Sequence, residues 1–146
     1  MKVGYSYLKE QFKNPEQILE DIRELVLEGD FTLGKRLEKF EEELAGWIGS
    51  KYAVGVCTGT DALRLSLAAH GIGSGDEVIT AVNTFYSTAG AIATIGAKPV
   101  FVDVNDNAVM DTSLLESAIT KKTKAIIPVH LNGCPADMKS VIGIAE

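Results

Sequence analysis

The sequence is short of cysteine, of basic excess and of long apolar runs, and each shortage excludes a class of protein. Only Cys57 and Cys134 occur among 146 residues. Two are too few for a disulfide scaffold, and neither falls in a C-x-x-C or Cys/His spacing that would hold zinc. A reducing, cytoplasmic setting fits, and no metal site is expected. Lys and Arg number 14 against 20 Asp and Glu, a net charge of −6. The surface therefore lacks the positive excess that binding a phosphate backbone requires, and nucleic acid is not an expected partner. No apolar run approaches the ~18 residues of a membrane span, and Met1 to Phe12 shows no basic-then-apolar leader pattern, so no membrane partner is expected. Internal repeats and low-complexity linkers are missing as well.

What is present is ordinary globular material: 46% hydrophobic and 23% charged residues, in a length that suits one domain or part of a larger one. Asn14-Pro15 opens a helix to about Leu27, with Asn14 as the expected cap, Pro15 in the first turn and Gln17 at capping-box spacing. Ile18, Ile22, Leu25 and Val26 form its apolar face, and Gly29 supplies the stop. A second amphipathic helix is expected from about Lys35 to Trp47. It carries Leu37, Phe40, Leu44 and Ile48 on one side and Glu41 to Glu43 in water, and Gly49 ends it.

From Lys51 the pattern changes to short β-branched runs: Tyr52 to Cys57, Glu77 to Val82, Pro99 to Val104 and Ala125 to Val129. These read as four strands. Helical stretches fall between and after them, at Asp61 to His70, Ser87 to Ile95, Ser113 to Ile119 and Ala136 to Glu146. Strand alternating with helix implies an α/β fold with a mostly parallel sheet, right-handed crossovers and helices on both faces. The last helical pattern reaches Glu146 without cap, glycine or turn where the alternation calls for another strand. The chain reads as cut there, with a fraying C-terminal helix as the alternative.

In such a sheet, ligands sit beyond the carboxyl ends of the strands, so the loops after Cys57, Val82, Val104 and Val129 are where chemistry is sought. Thr58-Gly59-Thr60-Asp61 joins a strand to a helix and offers small residues and free N–H groups to an anion, phosphate being the natural guest. An ordinary capped turn is the alternative, because Asp61 could itself cap the helix and repel phosphate. Asn83-Thr84-Phe85-Tyr86 places aromatic rings at the same edge, either to stack on a flat cofactor or to pack into the core. Asp103-Val104-Asn105-Asp106-Asn107 lacks the glycine and distal glutamate of a calcium loop and reads as a solvated turn. His130 could do acid/base work, but no nucleophile pattern surrounds it, so a hydrogen-bonded structural histidine is expected. Cys57 and Cys134 have no visible base and are expected to be inert.

Taken in order, Gly29 to Gly34, Gly59-Thr60-Asp61-Ala62-Leu63, Gly75-Asp76-Glu77-Val78-Ile79, Asn83-Thr84-Phe85, Gly96 to Val104, and Thr123 to His130 with Pro135-Ala136-Asp137 closely resemble the DegT/DnrJ/StrS aminotransferases. The resemblance spans nearly the whole chain. It implies the N-terminal portion of the aspartate-aminotransferase, or fold type I, large domain, left incomplete, with a helical segment over 1–50 and a partial cofactor-binding α/β domain over 51–146. It implies pyridoxal phosphate as cofactor, with a nucleotide-linked keto-sugar and glutamate as substrates and a homodimer as the assembly. Gly59, Thr60 and Asp61 would line the phosphate site, with Thr60 and the following N–H groups as donors, and Phe85 would stack on the pyridine ring. Phe31 and Thr32 would contact sugar or the dimer partner. Pro128 and His130 match an architectural segment.

The family's Schiff-base lysine and the acid that pairs with the pyridine nitrogen lie in regions with no counterpart here, and Lys2 to Lys139 all fall in other segments. No catalytic residue is therefore expected in this chain, nor transamination or covalent cofactor attachment by it alone. In the family's sheet the strand matching Tyr52 to Cys57 pairs with a late strand also without a counterpart, while the other three strands are contiguous. The expectation is the N-terminal part of a sugar aminotransferase, itself inactive. The alternatives are a pyridoxamine-dependent sugar dehydratase of the same family and a non-enzymatic remnant that binds a phosphorylated ligand. A flavodoxin-like signalling domain is a weaker reading.

Overall fold

Glycines in the left-handed region end both long N-terminal helices. Among residue 4 and residues 6–146, which the computed structural model describes, the chain divides into two units, Met1–Gly55 and Val56–Glu146. Residues 1–3 and 5, part of the expected 1–50 segment, lie outside the described residues.

The first unit holds α1 (Leu8–Gln11), α2 (Glu16–Glu28) and α3 (Lys35–Ile48). Gly29, at φ 70°, closes α2 by donating its N–H to Leu25 O at 3.0 Å, and Gly49, at φ 79°, does the same to Ala45 O at 2.9 Å. The start of α2 differs from expectation. Pro15 holds the N-cap position at φ −84° and Asn14 makes no cap, because the proline ring already fixes a helical φ. Gln17 turns forward instead, donating to Asp21 Oδ1 at 3.1 Å. The α3 start is capped from the preceding loop: Asp30 Oδ2 accepts the Lys35 N–H at 3.1 Å. A Cβ at Gly34 would collide with that carboxylate, which explains the glycine there. Arg36 joins α3 to α2 through Glu24 at 2.9 Å, a pairing that raises the guanidinium pKa.

The expected strand at Tyr52 to Cys57 is not formed. Residues 52–56 are irregular and, among the described residues, pair with no strand, and a backbone without a ladder partner is not a strand. Its Gly55 N–H is satisfied from α3 by Glu41 Oε1 at 2.6 Å.

The second unit contains α4 (Gly59–Ala69), β1 (Glu77–Ala81), α5 (Tyr86–Thr94), β2 (Lys98–Val102), α6 (Leu115–Ala118), β3 (Thr123–Ile127) and α7 (Met138–Ala145), with 3-10 turns at Thr112–Leu114 and Leu131–Gly133. The sheet is parallel with order β2-β1-β3, so the other three expected strands are contiguous. Every residue of the central β1 is buried, as its unbroken Glu-Val-Ile-Thr-Ala run requires once both faces are covered. Val78 points to one face and packs with Leu67 of α4, Ile92 of α5, Ile72 and Ala97. Ile79 and Ala81 point to the other and pack with Val102, Met110, Leu115 of α6 and Val141 of α7. Burial of each such aliphatic side chain contributes roughly 1.5–3 kcal/mol, so the two clusters hold the layers together.

These clusters also fix direction. Leu67 and Ile92 lie in the last turns of α4 and α5 and meet Val78 near the start of β1. Both helices therefore begin toward the carboxyl end of β1, where α/β sheets bind ligands. Among the described residues no helix is long and apolar enough to cross a membrane.

Candidate functional site

Thr58, not Asp61, caps α4. Its Oγ1 accepts the Asp61 N–H at 3.0 Å, and its carbonyl accepts the Ala62 N–H at 3.0 Å. The N–H groups that follow Thr60 are thus already engaged by the cap. Those left without a protein acceptor, among the described residues, are the three before them, on Thr58, Gly59 and Thr60. Among the described residues nothing but the chain neighbours and the helix's own backbone stands within 4 Å of a Cβ built on Gly59, which leaves room for an anion there. Three adjacent donors at the positive end of an eleven-residue helix suit a phosphate dianion.

The Asp61 carboxylate is occupied elsewhere. Its Oδ1 accepts from Arg64 Nη2 at 2.9 Å and Nε at 3.2 Å, and its Oδ2 accepts from the Thr58 hydroxyl at 3.3 Å. The sequence carries the signals for both, a T-x-x-D capping pattern and an acid three residues before an arginine on one helix, yet on sequence grounds the cap falls to Asp61 and Arg64 is left out.

Phe85 stands at the N-cap of α5, at the same carboxyl edge. It is 65% exposed and Tyr86 78% exposed, so neither ring is core packing. The two rings lie 4.4 Å apart at 53°. Thr84 and Thr88 flank them, their hydroxyl oxygens 2.9 Å apart. The tertiary structure therefore brings Gly59, Thr60, Asp61 and Phe85 to one edge of one sheet. Phe31 and Thr32 belong to the other unit, in the exposed loop between α2 and α3.

The remaining loops at this edge are structural. In the loop after β2, Asp103 and Asn105 accept the N–H groups of Val104 and Asn107 at 2.8 and 2.9 Å. Among the described residues no group of three or more His, Cys, Asp or Glu is placed to hold a metal ion. His130 Nδ1 accepts the Ala136 N–H at 3.0 Å, which puts the proton of the neutral ring on Nε2. Asp137 caps α7, and the Ser140 hydroxyl and N–H hold its carboxyl below the ordinary range. A cavity of about 510 Å³ lies far from this edge, at the outer side of β3 and the C-terminal end of α4, lined by Leu67, His70, Lys124 and Ile126 among others.

The sequence model of the DegT/DnrJ/EryC1/StrS aminotransferase family matches residues 13–146. The chain is 44% identical over 143 residues to the dTDP-3-amino-3,4,6-trideoxy-alpha-D-glucose transaminase of Micromonospora megalomicea subsp. nigra, covering 97% of this chain and 38% of that protein. It is 47% identical over 132 residues to the UDP-N-acetyl-3-dehydro-alpha-D-glucosamine 3-aminotransferase of Acidithiobacillus ferrooxidans, covering 90% of this chain and 36% of that one. The crystal structure of NtdA from Bacillus subtilis, with the cofactor PMP bound, matches with a TM-score of 0.92 at 37% identity, over 99% of this chain and 34% of that one. The chain spans well under half the length of these relatives. Its α/β layers have the architecture of the fold type I aminotransferases.

Proposed function

The chain belongs to the DegT/DnrJ/EryC1/StrS aminotransferase family, and from that premise we propose that it forms the cofactor-phosphate and ring-stacking wall of a sugar aminotransferase. The whole protein would move an amino group from glutamate to a nucleotide-linked keto-sugar. The observation that carries this reading is the start of α4, where, among the described residues, the N–H groups of Thr58, Gly59 and Thr60 have no protein acceptor and open space stands over Gly59.

Pyridoxal phosphate, when bound, supplies the electron sink that lets an amino group pass between carbon skeletons. The chain's own residues bind and orient. The three N–H groups and the helix dipole hold the phosphate, with the Thr60 hydroxyl as a further donor. Phe85, already exposed at the same edge, presents a ring face to the pyridine. Phe31 and Thr32 contact the sugar or a second copy of the chain. Residues 1–146 carry binding groups rather than the proton-transferring ones, and no catalytic residue is assigned among them. Self-association is supported by the exposed apolar side chains Ile22 and Val26 of α2 and Phe40 and Trp47 of α3. A cytoplasmic setting is supported by the free thiols of Cys57 and Cys134.

Titrating the chain with pyridoxamine 5′-phosphate and with pyridoxamine tests the cofactor site. The phosphate ester should bind more tightly, and equal affinity would remove the α4 phosphate seat. For the whole protein, 2-oxoglutarate release from glutamate that depends on a nucleotide-linked keto-sugar tests the reaction. Loss of water from the sugar without 2-oxoglutarate would point to dehydration instead.

A further inference from the structure

At the third position of a helix, a carboxylate paired with an N-cap threonine ordinarily folds back onto the N-cap N–H and completes a capping box. In α4 only half of that box exists. The Asp61 N–H reaches Thr58 Oγ1, but the Asp61 carboxylate does not return to the Thr58 N–H. Both Nη2 and Nε of Arg64 converge on its Oδ1, at 2.9 and 3.2 Å, from one turn further along. Its Oδ2 already accepts from the Thr58 hydroxyl at 3.3 Å, so without that grip Oδ1 would be left to the N–H groups that stand free at the helix start. A tethered carboxylate there would compete with any anion and repel it.

We propose that Arg64 is a positioning residue of the cofactor-phosphate site, acting through Asp61: it holds Oδ1 off the backbone donors while Oδ2 rests on the Thr58 hydroxyl, and so keeps the Thr58, Gly59 and Thr60 N–H groups free for the phosphate. The inference rests on the phosphate seat proposed above. It also explains how an acidic residue can sit inside an anion-binding turn: the charge is neutralised and its preferred acceptor geometry is satisfied elsewhere. Arg64 is well suited to this, because its planar fork directs two donors at one carboxylate from a fixed distance.

The test is binding of pyridoxamine 5′-phosphate to the chain, followed by cofactor fluorescence at fixed ionic strength, with pyridoxamine as control and helicity checked by circular dichroism. Arg64→Met should weaken binding of the phosphate ester about tenfold, the scale of a like charge brought within ~4 Å at a partly exposed site, and should leave pyridoxamine binding unchanged. Arg64→Lys, which keeps the charge without the fork, should lose less. Adding Asp61→Asn to Arg64→Met should restore affinity to within about twofold of the unsubstituted chain, since the competing carboxylate is gone. If the double variant stays as weak as Arg64→Met, Arg64 acts on the phosphate directly and the proposal is overturned. Unchanged affinity in Arg64→Met overturns it too, while leaving the phosphate seat intact. If the unsubstituted chain shows no preference for the phosphate ester, the seat itself is wrong and this inference falls with it.

Discussion

Thr84 Oγ1 and Thr88 Oγ1 lie 2.9 Å apart across the first turn of α5, one on each side of Phe85 in the chain. Phenylalanine cannot cap a helix with its side chain, and α5 begins without a side-chain cap on its N-terminal N–H groups. The hydroxyl pair and the Thr88 N–H, which donates to Phe85 O at 3.0 Å, close the turn instead. Thr88 is buried, so Thr88→Val, which keeps the shape, should cost about 1 kcal/mol by stranding the Thr84 hydroxyl. Thr88→Ser should cost less than half of that. Urea unfolding of the three proteins reads the difference.

Phe85 itself should matter for binding and little for folding. Its ring is largely exposed, so Phe85→Ala should shift stability by less than about 0.5 kcal/mol. A stacked aromatic pair contributes about 0.5–1.5 kcal/mol beyond area burial. Affinity for pyridoxamine 5′-phosphate should therefore fall roughly two- to tenfold. Unchanged affinity would take the ring out of the site.

Glu77 predicts the response to acid. Its Oε2 accepts from the Thr120 hydroxyl at 2.6 Å and its Oε1 from Lys98 Nζ at 3.1 Å, and these bonds, the first above all, hold its carboxyl below the ordinary range. A carboxylate depressed in the folded state binds its proton more readily when unfolded. Its stabilising contribution is complete above the ordinary glutamate value of about 4.3 and is lost as the pH falls below it, through the folded value. Glu77→Gln should be the less stable protein near neutral pH. The two urea midpoints should draw together as the pH falls below about 4.3.

The two glycines of the α2–α3 loop should fail for different reasons. Gly29→Ala meets no atom within 4 Å but must hold φ 70°, a cost of about 1 kcal/mol. Gly34→Ala pushes the Asp30 carboxylate off the Lys35 N–H, a lost cap worth about 0.5–2 kcal/mol. In an Asp30→Ala background, Gly34→Ala should add little, whereas Gly29→Ala should cost as much as before. Thermal unfolding of both glycine variants in each background, beside the two parents, separates the mechanisms.

Local pattern made much of this protein legible. The helical spacing of Ile18, Ile22 and Val26, and the glycines at 29 and 49, gave α2 and α3 their extents to within a few residues. The β-branched runs located β1, β2 and β3, and their alternation with helices implied parallel pairing. The small, polar turn at Thr58 to Asp61 and the aromatic Phe85 stood out in the sequence and fall at the carboxyl edge of the sheet. All of these depend on residues a few positions apart, where propensity and periodicity act directly.

What depends on distant partners was decided only by the tertiary structure. Tyr52 to Cys57 has the composition of a strand, but residues 52–56 remain irregular and, among the described residues, unpaired, because a strand exists only where a second backbone accepts its hydrogen bonds. Asn14 and Pro15 both suit a helix start, and the chain's path gave the position to Pro15. Asp61 was free, on sequence grounds, to cap the helix or repel a phosphate; the reach of Arg64 settled where its charge goes. Sequence determined the elements through short-range preference. The fold determined which N–H groups, carboxylates and rings found protein partners and which did not, because each group is satisfied by whatever the completed packing brings beside it.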